Sequence, residues 1–120
     1  MTMKLYWKDL GIQLTATAAD GNEAWEQIRK NPPDLLITDI RMPYMDGLTL
    51  AERIRQKYPS MKIVIFSGFD DFEYAKQAIK LNVTEYILKP VNVEELTAIL
   101  KRIKVNLDQE IEQKRNVNLL

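Results

Sequence analysis

The sequence predicts an α/β fold built on an open, doubly wound parallel sheet, and three observations predict it. Short β-branched runs alternate with longer stretches of helical periodicity, the pattern of repeated βα units. The runs LLITD, KIVIF and EYIL are almost continuously apolar, which suits strands covered by helices on both faces rather than strands with one wet face. The length of 120 residues makes one ordinary domain and leaves no room for a second with its own core.

The elements follow in chain order. A strand is expected from Gln13 to Ala19 and a helix from about Gly21 to Arg29, opened by Asp20 and Glu23 at the spacing of a capping box. Asn31-Pro32-Pro33 ends that helix, because a residue before proline is pushed out of the α region. The next strand spans Leu35 to Asp39. Asp46 caps a second helix, Gly47 to Lys57, with Gly47 as a permissive residue at its start, and Tyr58-Pro59 closes it. A strand from Lys62 to Phe66 leads to a helix from Asp71 to Leu81, where Asp70 and Glu73 form a second box. That spacing explains Asp70 and Asp71 better than metal binding does. In this helix Ala75, Ala78 and Ile79 face inward with Phe72, while Lys76, Gln77 and Lys80 take the wet side. The last strand is Glu85 to Leu88. A final helix starts at Val93, with Asn92 and Glu95 at the spacing of a third box, and its periodicity continues through Ile103, Leu107 and Ile111. Residues 1–104 therefore read as the domain and 105–120 as a helical tail or the start of a linker. Glu110 and Lys114 are spaced to pair, and the apolar stripe could serve a dimer seam.

Composition removes several classes of function. Seventeen basic residues balance seventeen acidic ones, so no net field draws the chain to nucleic acid or an anionic membrane. Without cysteine there is no disulfide or thiolate chemistry, and without histidine there is no Ser/His pair or imidazole metal ligand. No apolar stretch is long enough for a secretory or spanning segment, and a cytoplasmic location is expected. The remaining chemistry must use carboxylates, hydroxyls and lysines.

Those groups stand at the strand ends, where open α/β sheets bind ligands. Asp39 ends LLITD, Ser67 follows KIVIF and Lys89 follows EYIL. Taken singly, a strand-end Asp is a turn residue and a strand-end Lys a solvated edge. Taken together they make an anion or phosphoryl-transfer site, with the carboxylate as nucleophile and metal ligand. The run Asp39-Ile-Arg-Met-Pro-Tyr-Met-Asp-Gly resembles the phosphoacceptor signature of bacterial response-regulator receivers. Ser67-Gly and Tyr86-Ile-Leu-Lys89-Pro90 fall at that family's spacings, and the similarity spans about Trp7 to Ile103. The stretch Ser67-Gly-Phe-Asp-Asp-Phe-Glu-Tyr-Ala further resembles receivers that precede an AraC-type DNA-binding output domain.

The resemblance implies a flavodoxin-like receiver fold in which Asp39 takes a phosphoryl group from a sensor histidine kinase. It implies Mg²⁺ held by Asp39 and the backbone carbonyl of Arg41, with Ser67 and Lys89 on phosphoryl oxygens. Tyr86 would be an aromatic switch, and Lys89-Pro90 a cis peptide. The switching surface would comprise the helix from Asp71, the strand from Glu85 and the helix from Val93. Such a protein is no enzyme beyond its own phosphotransfer and dephosphorylation, and DNA recognition would belong to a C-terminal output domain.

One departure stands at the front. A complete receiver begins with an apolar strand ending in an acidic pair, whereas Met1 to Tyr6 are too short for it and Trp7-Lys-Asp-Leu-Gly resembles the turn after the first helix. About one βα unit, roughly fifteen to twenty residues, is expected to be missing. Mg²⁺ would then lose ligands, Asp9 being a poor substitute. This favours as the alternative a degenerate receiver that works as an interaction or dimerisation module. A dehalogenase-like phosphatase fits less well, since it needs an aspartate where Arg41 stands.

Overall fold

In the computed structural model, the described residues are 12–13, 16–41, 45–68, 72–90 and 92–119, with backbone alone at 72, 74 and 116–119. They fall into two compact units, residues 15–90 and a second whose described part is 12–13 with 92–119.

The larger unit alternates helix and strand: α1 (Gly21–Lys30), β1 (Leu35–Asp39), α2 (Gly47–Lys57), β2 (Lys62–Ser67), α3 (Phe72–Lys80) and β3 (Glu85–Leu88). The strands form a parallel sheet in the order β1-β2-β3. Leu35 pairs with Lys62 and Asp39 with Phe66 on one side of β2, and Val64 pairs with Glu85 and Ser67 with Leu88 on the other. This bears out the α/β parallel class. Burial on both faces is complete only for the middle strand, where Ile63, Val64 and Ile65 are fully inaccessible. Each such side chain contributes about 1.5–3 kcal/mol relative to an exposed one. Around Ile63 and Ile65 pack Ala24 and Ile28 of α1, Leu48, Leu50, Ala51 and Ile54 of α2, and Ala78 of α3. β3 is thinner, its Leu88 being 54% exposed.

Local chemistry sets the helix ends. Asp20 Oδ1 accepts from the Glu23 amide at 2.9 Å, and Glu23 returns to the Ala19 amide at 3.1 Å, so the box closes one residue earlier than its usual form. Asp46 Oδ1 accepts from the Thr49 amide at 2.8 Å. α3 ends in a Schellman turn: Asn82 sits at φ 58°, its amide donates to Ile79, and the Val83 amide donates to Ala78. The box expected at Asp70 and the inward Phe72 side chain lie outside the described residues.

Two expectations are corrected. Of the strand expected over Gln13 to Ala19, residues 13 and 16–19 are not extended into the sheet, and 14–15 lie outside the described residues. The backbone here is engaged elsewhere: the Thr17 carbonyl accepts from the Gln27 side chain at 2.9 Å and the Ala19 amide donates to Glu23. Ala16, Ala18 and Ala19, all exposed, supply neither β propensity nor a side chain to bury. Ile79, expected inward, is 75% exposed, whereas neighbouring Ala78 is fully buried. The buried line of α3 runs through Ala78 toward Leu81, and one helical step of about 100° carries Ile79 out of it.

In the second unit α4 (Val93–Leu119) begins at Asn92, whose Oδ1 accepts from the Glu94 and Glu95 amides at 2.8 and 3.1 Å. Leu96, Ile99, Leu100 and Ile103 form its buried stripe, and the backbone stays helical well past residue 104. Lys104 and Asp108 pair one turn apart, while Val105 and Ile111 are exposed. Among the described residues no helix is long and apolar enough to cross a membrane.

Gly47 is required for want of space rather than for backbone freedom. A Cβ there would lie 2.2 Å from the Asp39 carbonyl oxygen, and the Gly47 amide already donates to Ile40 at 2.7 Å. Gly47→Ala should lower the unfolding free energy by about 1–3 kcal/mol, whereas exposed Gln56→Ala stays within about 0.5 kcal/mol. Urea midpoints measure both, and an unshifted midpoint for Gly47→Ala would overturn the close-approach argument.

Candidate functional site

Parallel pairing brings the carboxyl ends of all three strands to one edge. Asp39 is the last residue of β1, Ser67 the last of β2, and Lys89 follows β3 directly. The ladder runs one step past the strands on each side: the Ile40 amide donates to the Phe66 carbonyl at 3.0 Å and the Lys89 amide to the Ser67 carbonyl at 2.8 Å. The backbone thus fixes all three residues before their side chains interact. Lys89-Pro90 is a cis peptide, as expected.

The side chains meet. Lys89 Nζ stands 2.8 Å from Asp39 Oδ1, an ion pair by distance but off the direction of an aligned hydrogen bond. The two side chains are 41% and 32% exposed, so solvent screens the pair and its contribution to stability is no more than about 1 kcal/mol. Between them in strand order lies Ser67, 2% exposed, whose Oγ has no hydrogen-bond partner among the described residues. A buried hydroxyl without a partner costs free energy. The edge therefore combines a carboxylate, a cation and spare hydrogen-bonding capacity.

The other expected residues are placed less directly. Tyr86 is half-buried on β3, opposite Ile65 in register, and packs against the core cluster. Arg41 is exposed two residues beyond Asp39; residues 42–44 and Asp70 and Asp71 lie outside the described residues. Asp46 caps α2. Two contributors were not apparent from the sequence. The Thr38 hydroxyl donates to the Asp39 carbonyl at 3.0 Å, and the missing side chain of Gly47 lets α2 start against that same carbonyl.

For a cation the described donors are few. No cluster of three or more acidic, histidine or cysteine side chains occurs among the described residues. Magnesium, however, is commonly held by one or two carboxylates with waters completing its shell, and the Asp39 carboxylate suits that mode. Lys89 competes for the same oxygen.

Comparison with known proteins gives a consistent result. Residues 1–101 match the family model described as the response regulator receiver domain. The uncharacterised transcriptional regulatory protein YesN of Bacillus subtilis is 40% identical over 114 residues, covering 94% of this chain and 31% of that protein. The transcriptional regulatory protein HptR of Staphylococcus aureus is 38% identical over 112 residues, covering 92% and 44%. The chain thus spans less than half the length of these relatives. Among solved structures, the receiver domain of AraT, a response regulator from Geobacillus stearothermophilus, superposes with a TM-score of 0.82 at 38% identity, covering 88% of this chain and 82% of that one. An AraC two-component transcriptional regulator from Clostridium phytofermentans gives 0.78 at 37% identity, covering 88% and 81%.

Because the Ser67 hydroxyl is buried with no hydrogen-bond partner among the described residues, Ser67→Ala should leave stability unchanged or raise it by up to about 1 kcal/mol. Denaturant unfolding tests this, and a loss beyond about 1 kcal/mol would reveal a hydrogen bond that the native state depends on.

Proposed function

The chain belongs to the response regulator receiver domain family, and from that premise we propose that it is a phosphoacceptor switch in which Asp39 accepts a phosphoryl group from a phosphohistidine of a sensor kinase. What supports the reading is the convergence of Asp39, Ser67 and Lys89, with the ammonium 2.8 Å from the acceptor carboxylate. A carboxylate oxygen of Asp39 attacks phosphorus, the phosphorus–nitrogen bond breaks, and the imidazole leaves with its electron pair. Lys89 then exchanges its contact with Asp39 for one with a phosphoryl oxygen, and Ser67 donates its unused hydrogen bond to another. Neither group need be recruited from elsewhere in the fold.

Magnesium would be held by the Asp39 carboxylate and the Arg41 backbone carbonyl, and when bound it supplies charge neutralisation at the phosphoryl oxygens. Tyr86, half-buried on β3, would turn inward as Ser67 moves toward the new anion, converting a local charge change into an altered α3–β3 surface. The relatives are named as transcriptional regulators and are longer than this chain. We read residues 1–104 as the receiver, the helical run beyond as the lead into a DNA-binding output domain and a seam for a homodimer, and the cytoplasm as its location.

Incubation with acetyl phosphate, followed by intact-mass spectrometry, tests the acceptor. A Mg²⁺-dependent adduct of one phosphoryl mass is expected on the wild-type chain and not on Asp39→Asn. No adduct on a chain shown to be folded would remove the phosphoacceptor reading and leave an interaction module.

A further inference from the structure

We propose that Arg55, at the edge of the sheet opposite Asp39, is the positioning residue for Lys89: its guanidinium clamps the turns that feed β2 and β3 and so sets where β3 delivers the ammonium. The functional part of this proposal rests on the phosphoacceptor reading, while the structural part does not.

Arg55 lies in the last turn of α2. Its Nε donates to the Leu81 carbonyl at 2.9 Å and Nη2 to the Asn82 carbonyl at 3.0 Å, both in the turn between α3 and β3. Its Nη1 donates to Met61 at 2.6 Å and Pro59 at 3.2 Å, in the turn between α2 and β2. One rigid fork therefore joins two chain segments that start neighbouring strands. Partial burial, by removing water from the charged group, pushes the guanidinium below its ordinary pKa. The Leu81 and Asn82 carbonyls lie just past the end of α3, and the bonds of the Schellman turn go to Ala78 and Ile79 instead.

From this clamp to Lys89 the path is short. Next to it the Thr84 amide donates to the Ile63 carbonyl at 2.8 Å and the Ile63 amide to Thr84 Oγ1 at 3.1 Å, locking the entry of β3 onto β2. β3 itself has only 4 residues, and the Lys89 amide closes its far end on Ser67. So short a strand, with Leu88 exposed, has little packing of its own to hold register. A slip of one residue moves the chain by about 3.3 Å and turns each side chain to the other face. Either displacement is enough to lose the 2.8 Å contact with Asp39. Lysine cannot replace the fork, because its three donors radiate from one atom and cannot span carbonyls from two turns.

Amide hydrogen exchange and acetyl phosphate labelling of the full chain, with Arg55→Met, Arg55→Lys and Lys89→Met, decide the matter. In both Arg55 variants the Thr84 and Lys89 amides should exchange at least about tenfold faster, while Ile40 and Gly47, bonded on the β1 side, change by less than about twofold. The Lys89→Met penalty on labelling rate should shrink by about threefold or more in the Arg55→Lys background, since an ammonium already misplaced has less to lose. Uniform acceleration of all four amides would make Arg55 a general brace and overturn the proposal, as would unchanged exchange at Thr84 and Lys89 or a Lys89 penalty equal in both backgrounds. If the wild-type chain takes no phosphoryl group, the phosphoacceptor reading fails on its own, and the exchange pattern alone decides whether Arg55 positions β3.

Discussion

Parallel hydrogen bonding along β2 is the constraint from which the rest of the 15–90 unit follows. A parallel ladder aligns strands by their ends, so whatever residue terminates each strand is delivered to the same edge. It also requires a crossover between successive strands, and α2 and α3 supply it while covering the apolar middle strand. The fully buried Ile63, Val64 and Ile65 hold that strand in place. The same pairing puts a carboxylate, a hydroxyl and an ammonium side by side.

The two edges of the sheet solve different problems. At the carboxyl edge polar groups stand close together, and the backbone rather than the side chains fixes them. Gly47 allows α2 to start against the Asp39 carbonyl, and the Ile40 and Lys89 amides extend the ladder one residue past the strands. The side-chain contact between Lys89 and Asp39 is partly exposed and weak. At the amino edge, by contrast, four carbonyls of the two turns, those of Pro59, Met61, Leu81 and Asn82, accept from Arg55.

Sequence pattern conveyed those features that depend on neighbours in the chain. The capping positions Asp20, Asp46 and Asn92 were legible because a cap is made within three residues. The three formed strands were legible because an apolar run of strand length has few other uses. Ile79 misled because helical periodicity defines a face only to within one residue, and the narrow alanine line of α3 left no width for it. The stretch from Gln13 to Ala19 misled because a strand exists only if another strand takes its backbone bonds, and here side chains of α1 take two of them.

By itself, then, the sequence determined the class of fold, the order of elements from α1 onward and the identity of the three strand-end groups, since each follows from local periodicity, capping and turn chemistry. Tertiary structure alone decided that Lys89 reaches Asp39, that the Ser67 hydroxyl is buried without a partner among the described residues, and that Arg55 joins two turns. The deciding contacts join residues far apart in the chain: 50 positions for Asp39 and Lys89, and 26 and 27 for Arg55 with Leu81 and Asn82. No local pattern encodes such distances; they are set only when the parallel register is closed.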